Sequence, residues 1–83
     1  MNKDIDDLLK SLSNTTRRNI IKFLIEVKVT TKYELIEQFP NKRVEIIHTH
    51  LPVLEDSGII VKEGETIRYV ENEYIEEVIS VIH

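Results

Sequence analysis

Apolar residues recur with helical spacing in four successive stretches of the chain. In the first, Leu8 and Leu12 share a helix face with Ile5, and aspartates fill the first turn, where the helix dipole favours anions. In the second, Ile20 and Leu24 repeat the spacing after a polar turn that supplies cap candidates. The pattern predicts a helix over residues 3–12 and a second helix over residues 15–26.

Two further helices are predicted between residues 31 and 58. Thr31 and Glu34 have the spacing of a capping box, in which each side chain bonds a free backbone N–H at the helix start, so a short third helix begins there and ends at Pro40. Asn41 is the expected cap of a fourth helix, and Gly58 is expected to end it in the left-handed conformation. The fourth helix covers residues 42–57, and its apolar stripe consists of Val44, Ile47, Leu51 and Leu54.

Pro52 lies inside the fourth predicted helix. It has no N–H to donate to the carbonyl of His48. The helix therefore either kinks at this point or has that carbonyl bound by a neighbouring group.

The pattern changes to β-branched and aromatic runs at residues 59–61 and 66–70, which flank a turn containing Gly64. These runs predict a two-stranded hairpin, and the tail over residues 72–83 is apolar over more than one helical stripe, which favours burial against a partner. The expected fold is mostly α with a small β hairpin. Its order is helix, helix, helix, helix, hairpin, helix, in one domain over residues 1–83, with the third and fourth helices forming a helix-turn-helix.

Composition and charge narrow the function. The 83 residues include no cysteine, which removes disulfides and thiolate metal sites, and no signal peptide or membrane-spanning run is visible, so we expect a cytoplasmic protein. The net charge is −4, but residues 1–16, 17–43 and 44–83 carry −1, +4 and −7 respectively. The middle third is therefore a basic block, the charge that binds phosphate.

Cations stand at two helix starts, where the dipole disfavours them by about 0.3 to 1 kcal/mol each. Lys42 and Arg43 begin the fourth predicted helix, and Arg17 and Arg18 begin the second. A helix amino terminus with added cations is suited to bind phosphate. The alternative is that Arg17 pairs with an internal carboxylate while the other three are solvated.

The face of the fourth helix opposite its predicted stripe supplies candidates for reading base edges: Lys42, Glu45, Ile46 and Thr49. His48 and His50 point away from each other on a helix, and no Cys or spaced carboxylate completes a ligand set, so no metal site is expected. We expect one histidine to pack at the core edge and the other to bond backbone or phosphate.

Residues 48–52 read HTHLP and residues 54–58 read LEDSG, which resembles a winged-helix family abundant in archaea. More broadly, LSNTTRR at residues 12–18, together with GII at residues 58–60, resembles the arsenic-repressor (ArsR-like) pattern. The resemblance implies three core helices and a β wing, DNA binding through residues 42–50, and dimerisation through terminal helices. Metal sensing is not implied, because the sensing cysteines are missing, and the wing tip is acidic where family members often carry basic residues.

The sequence therefore predicts a winged helix-turn-helix regulator that binds double-stranded DNA as a homodimer. It predicts no enzyme, since nothing pairs a nucleophile with a base, and no cofactor, metal or membrane partner. The alternative is a winged-helix module for protein interaction. The candidate DNA contacts are Arg17, Arg18, Lys32, Lys42, Arg43, Glu45, Ile46, Thr49, His50, Lys62 and Arg68. The candidate dimer contacts are Ile5, Leu8, Leu9, Tyr74, Ile75, Val78, Ile79 and Ile82.

Overall fold

A computed structural model describes the backbone of residues 2–82 and the side chains of residues 6–82. The protein is mostly helical with one small antiparallel sheet. The first half contains helix α1 (Asn2–Leu12), helix α2 (Thr15–Val27), strand β1 (Val29–Thr31) and helix α3 (Lys32–Gln38). A 3-10 turn (Pro40–Lys42) leads into helix α4 (residues 43–56), followed by strand β2 (Ile60–Glu63), strand β3 (Thr66–Tyr69) and helix α5 (Glu73–Ile82).

The ends of the helices follow the predicted signals with one exception. Thr31 and Glu34 form the expected capping box at the start of α3. Gly58 has φ 77°, and the N–H of Ile59 bonds the carbonyl of Leu54 at 3.0 Å, which closes α4 in a Schellman motif. The prediction that Asn41 caps α4 is wrong, because Asn41 lies inside the 3-10 turn and no side chain caps this helix.

The sheet contains a strand that the hydrophobic pattern did not predict. The hairpin of β2 and β3 forms as expected, but β1 also pairs with β3, which gives the order β1, β3, β2 with β3 in the centre. Thr30 of β1 lies opposite Ile67, and the backbone N–H of Lys32 bonds the carbonyl of Glu65 at 2.9 Å. These bonds fix the start of α3 beside the hairpin turn.

Helix α4 changes its hydrogen-bonding pattern in the middle. Its α-helical segments Arg43–Glu45 and Leu51–Asp56 are joined by a π turn, Ile46–His50, in which the N–H of Leu51 bonds the carbonyl of Ile46. Pro52 follows directly and can donate no N–H, and its ring would crowd the carbonyl four residues earlier in a regular helix. The disturbance expected at Pro52 therefore takes the form of a π turn upstream of it.

The π turn alters which face of α4 is buried. Ile46 is fully buried, whereas Val44 is 68% exposed and Ile47 is half-buried, so the predicted stripe is wrong in its first half. Each residue of a π turn advances less around the axis than in an α-helix, and the turn thereby aligns Ile46 with Leu54. The buried residues of α4 are Ile46, His50, Leu51 and Leu54.

A single core joins all the helices and the sheet. Helix α5 contributes Ile75 and Ile79, which are 0% and 7% exposed and pack within the protomer. At the other end of the chain, the buried hydroxyl of Ser11 donates to Ser57 Oγ at 2.7 Å and links α1 to the end of α4. None of the helices within residues 2–82 has the length and apolar character needed to cross a membrane.

Candidate nucleic-acid interface

The outer face of α4 is exposed at both its amino-terminal end and its π turn. Arg43, Val44, Glu45, His48 and Thr49 are all exposed, while the opposite face of the same helix lies in the core. The surface thus combines a cation at the amino-terminal turn with apolar, acidic and hydroxyl groups further along. Such a mixture supplies contacts both for phosphate and for base edges.

Lys42 and Arg43 differ in their surroundings at the start of α4. The Nζ atom of Lys42 lies 3.9 Å from Glu45 Oε2, in a pair whose side chains are each about half exposed. Arg43 has no carboxylate within 4.0 Å among the described side chains. An exposed ion pair contributes about 0 to 1 kcal/mol, so Lys42 can exchange its partner for another anion at little cost.

Two of the predicted DNA contacts are buried and cannot touch DNA directly. Ile46 is 0% exposed and His50 is 2% exposed. Both residues belong to the π turn and face the core, so their assignment as DNA contacts is wrong. We expected one of the two histidines to pack at the core edge, and His50 does so. His48 is exposed.

Arg17 is also buried, at 7% exposed, and its assignment as a phosphate contact is wrong. Its guanidinium donates to the carbonyls of Lys10 at 2.9 Å and Ser11 at 3.3 Å, which lie in the last turn of α1. The alternative of an internal carboxylate partner is wrong as well, because these acceptors are carbonyl oxygens. Burial lowers the pKa of Arg17 from its usual value, and the group remains a cation at neutral pH.

Arg18 also bonds the end of α1. Its Nη1 donates to the carbonyl of Leu12 at 2.8 Å and its Nη2 to the hydroxyl of Thr15 at 3.0 Å. The side chain is partly exposed, and these bonds use two of the five N–H donors of its guanidinium. The two arginines at the start of α2 therefore serve the carboxyl end of α1, where cations are favoured.

The third nitrogen of Arg17 extends this network into α4. Nη1 lies 3.2 Å from His50 Nδ1, and His50 Nε2 lies 3.3 Å from Glu45 Oε1. The pKa of His50 is lowered, first by burial and also by the charges of Arg17 and Lys42, against the opposing effect of Glu45. At neutral pH the contact with Glu45 is therefore a hydrogen bond from an uncharged ring.

The cations of the hairpin form ion pairs with carboxylates. Lys62 Nζ lies 3.8 Å from Glu55 Oε1, and Arg68 Nη2 lies 3.6 Å from Glu63 Oε1. Glu65 is exposed at the turn. The hairpin therefore presents a surface that is neutral to acidic.

Three exposed residues near these elements were not among the predicted contacts. Val44 and His48 were placed on or beside the core stripe, and only the π turn brings them outward. Tyr33, in the first turn of α3 beside Lys32, is 69% exposed, and its hydrogen bond with Glu37 raises its pKa. An aromatic residue in the first turn of a capped helix was the signal that could have indicated Tyr33.

The predicted dimer contacts differ in their exposure. Ile75 and Ile79 lie in the core, so their assignment to an interface is corrected. Leu8 and Val78 are half-buried against that core. Leu9, Tyr74 and Ile82 are 51%, 45% and 44% exposed, and the side chain of Ile5 lies outside the described residues.

Comparison of the chain with protein-family models, with characterised proteins and with solved structures finds no match.

Proposed function

We propose that this chain is a winged helix-turn-helix domain that binds double-stranded DNA as a transcriptional regulator. Helices α3 and α4 would form the helix-turn-helix, because only residues 39–42 separate them, and the β2–β3 hairpin would be the wing. The ArsR-like resemblance, with HTHLP inside α4, supports this assignment. The order of α2, β1, α3, α4 and the hairpin supports it too.

The observation that carries the proposal is the exposed face of α4. Arg43 is exposed at its amino end, and Val44, His48 and Thr49 follow on the outer side of a helix whose other side packs in the core. A helix held in this way can lie in the major groove without losing its packing. Thr49 and Val44 would supply apolar contact to a thymine methyl group.

The proposed DNA surface is smaller than the basic block of the sequence. Arg17 is excluded because it is buried, and Arg18 because it bonds the end of α1. The proposed contacts are Lys32, Tyr33, Lys42, Arg43, Val44, Glu45, His48 and Thr49. In a homodimer, two copies of α4 would enter successive major grooves about 34 Å apart.

Anisotropy of a labelled random-sequence duplex, titrated at several salt concentrations, tests the proposal. Arg43→Ala should lower the salt slope of log K by about 0.9, one phosphate contact. Lys22→Ala is the matched control, because the main packing partners of α2 are α1, α5, β1 and β3 rather than α4. Equal effects of the two variants would remove α4 from the interface.

The second candidate is a protein-interaction module of the same fold. It is favoured by the hairpin, since Lys62 and Arg68 are both paired with carboxylates and the turn is acidic. If the unaltered protein binds no duplex even at low salt, DNA binding fails and this second function gains support. Weak salt dependence with a protein partner would distinguish it further.

A further inference from the structure

A chain of hydrogen bonds connects the end of α1 to the outer face of α4. Arg17 is fixed by the carbonyls of Lys10 and Ser11, and its Nη1 reaches His50 Nδ1 at 3.2 Å. The opposite ring nitrogen of His50 lies 3.3 Å from Glu45 Oε1. Two buried side chains thus end on one exposed carboxylate.

The donors in this chain can be assigned from its chemistry. An arginine has only N–H donors, so His50 Nδ1 must be the acceptor of the bond from Arg17. A neutral imidazole then carries its one proton on Nε2, and that N–H donates to Glu45. Arg17 therefore selects the histidine tautomer that bonds the carboxylate.

Glu45 is bonded to a buried histidine although its own side chain is 52% exposed. Oε1 accepts from His50, and Oε2 lies 3.9 Å from the ammonium of Lys42. A glutamate on a helix surface ordinarily samples many rotamers, and ordering it on binding costs entropy. Here the ordering cost is met when the protein folds, and lone pairs of the carboxylate remain free toward solvent.

We propose that Glu45 determines sequence specificity by accepting a hydrogen bond from the amino group of a cytosine, and that His50 and Arg17 are positioning residues for it. This inference rests on the proposed function. Cytosine presents an N4 amino donor in the major groove, whereas the N6 amino group of adenine lies beside the N7 acceptor, which repels a carboxylate. A fixed carboxylate on the exposed face of α4 therefore favours cytosine.

The test is selection of bound duplexes from a random library, followed by sequencing, with four proteins of the full chain. These are the unaltered protein and the Glu45→Gln, His50→Leu and His50→Gln variants. The side-chain amide in His50→Gln can accept from Arg17 and donate to Glu45, so it replaces both bonds of the ring. Thermal unfolding of each variant verifies that it is folded before selection.

The expected result is a cytosine preference of about tenfold at one position of the unaltered protein's site. Glu45→Gln changes that position toward adenine, because a glutamine amide bonds N6 and N7 together. His50→Leu loses the preference while its salt slope is unchanged, and His50→Gln retains it. A purely structural role of His50 would lower stability in both His50 variants without changing the base preference.

Three results would overturn the inference in distinguishable ways. A bound site with no position that responds to Glu45→Gln removes the role of Glu45 and leaves DNA binding intact. Loss of the preference in Glu45→Gln but not in a folded His50→Leu removes the positioning role of His50. No duplex bound by the unaltered protein overturns both this inference and the proposed function.

Discussion

Arg17 and Arg43 are the same residue type near the start of two helices, yet they have opposite environments. Helix α1 ends at Leu12, and the guanidinium of Arg17 donates to two carbonyls of its last turn, which holds the side chain in the interior. Arg43 follows a 3-10 turn that offers it no such acceptors among the described residues, and it stays exposed. A cation at a helix amino terminus therefore indicates that the side chain has a partner, but the sequence does not show whether that partner is an external anion or a carbonyl of the protein.

His50 provides a prediction of pH dependence. Its pKa is lowered from the ordinary 6.5, chiefly by burial, so between the two values the unfolded chain binds a proton that the folded protein does not. Stability is then fully present above about pH 6.5 and is lost as the pH falls through the folded-state pKa. Urea unfolding near pH 7 and near pH 5 measures this loss.

The His50→Gln variant isolates that contribution, because glutamine does not titrate. Its free energy of unfolding should fall less than that of the unaltered protein over the same pH interval. His48→Gln is the matched control, since His48 is exposed on the same helix, and it should retain the pH dependence of the unaltered protein. Identical pH profiles for His50→Gln and the unaltered protein would contradict the buried, neutral histidine.

At the scale of elements, local signals in the sequence predicted more than long-range ones. The capping box at Thr31 and the glycine cap at Gly58 depend on neighbouring residues, and both are confirmed. Strand β1 was not predicted because it has three residues and forms only by pairing with β3, far along the chain. Its residues carried a local helix signal, the cap of α3, which masked the strand.

The second difference from the predicted elements is the phase of α4, that is, which of its residues face the core. It caused the errors at the candidate site. A fixed helical period assigned Ile46 to the outer face and Val44 to the core, and the π turn reverses both assignments. Pro52 indicated that the helix was irregular but not what form the irregularity takes. A single change of period was enough to alter the predicted list of base contacts.

Adjacent isoleucines of α4 test that phase directly. Ile46→Ala should cost about 2 to 5 kcal/mol, because it removes a fully buried side chain and leaves a cavity. Ile47→Ala should cost clearly less, since Ile47 is half-buried and its surroundings can relax or admit water. Urea unfolding of the two variants gives the comparison, and a larger loss for Ile47→Ala would restore the regular helical phase.

In the whole molecule, several cations of the basic block bond to other parts of the protein. Between residues 17 and 43, the two arginines at the start of α2 bond α1, and Lys28 lies 3.8 Å from Glu71 of the acidic segment. Of the other cations in that block, Lys22, Lys32 and Arg43 have no carboxylate within 4.0 Å among the described side chains. The net charge of residues 17–43 therefore overestimated the basic surface, because the sequence alone does not show which cations become buried and which pair with carboxylates.

The remaining exposed apolar residues bear on the proposed dimer. A chain of 83 residues buries a limited fraction of its surface, and association would cover Leu9, Tyr74 and Ile82 on the two terminal helices. Because Ile75 and Ile79 already belong to the core, an interface through α5 must use residues that the core leaves exposed. Ile82 is such a residue, 44% exposed at the end of the helix.

We expect sedimentation equilibrium to find a dimer for the unaltered protein and a dissociation constant at least about tenfold higher for Ile82→Glu, because a charge must then be buried at the interface. Val44→Glu is the control. Val44 is exposed on the outer face of α4, so this change should leave the dimer intact while weakening DNA binding by repelling phosphate. A monomeric unaltered protein, or equal dissociation by both variants, would exclude an interface at the end of α5. If the unaltered protein is monomeric, the proposed contacts of a single copy would have to provide the whole DNA interface.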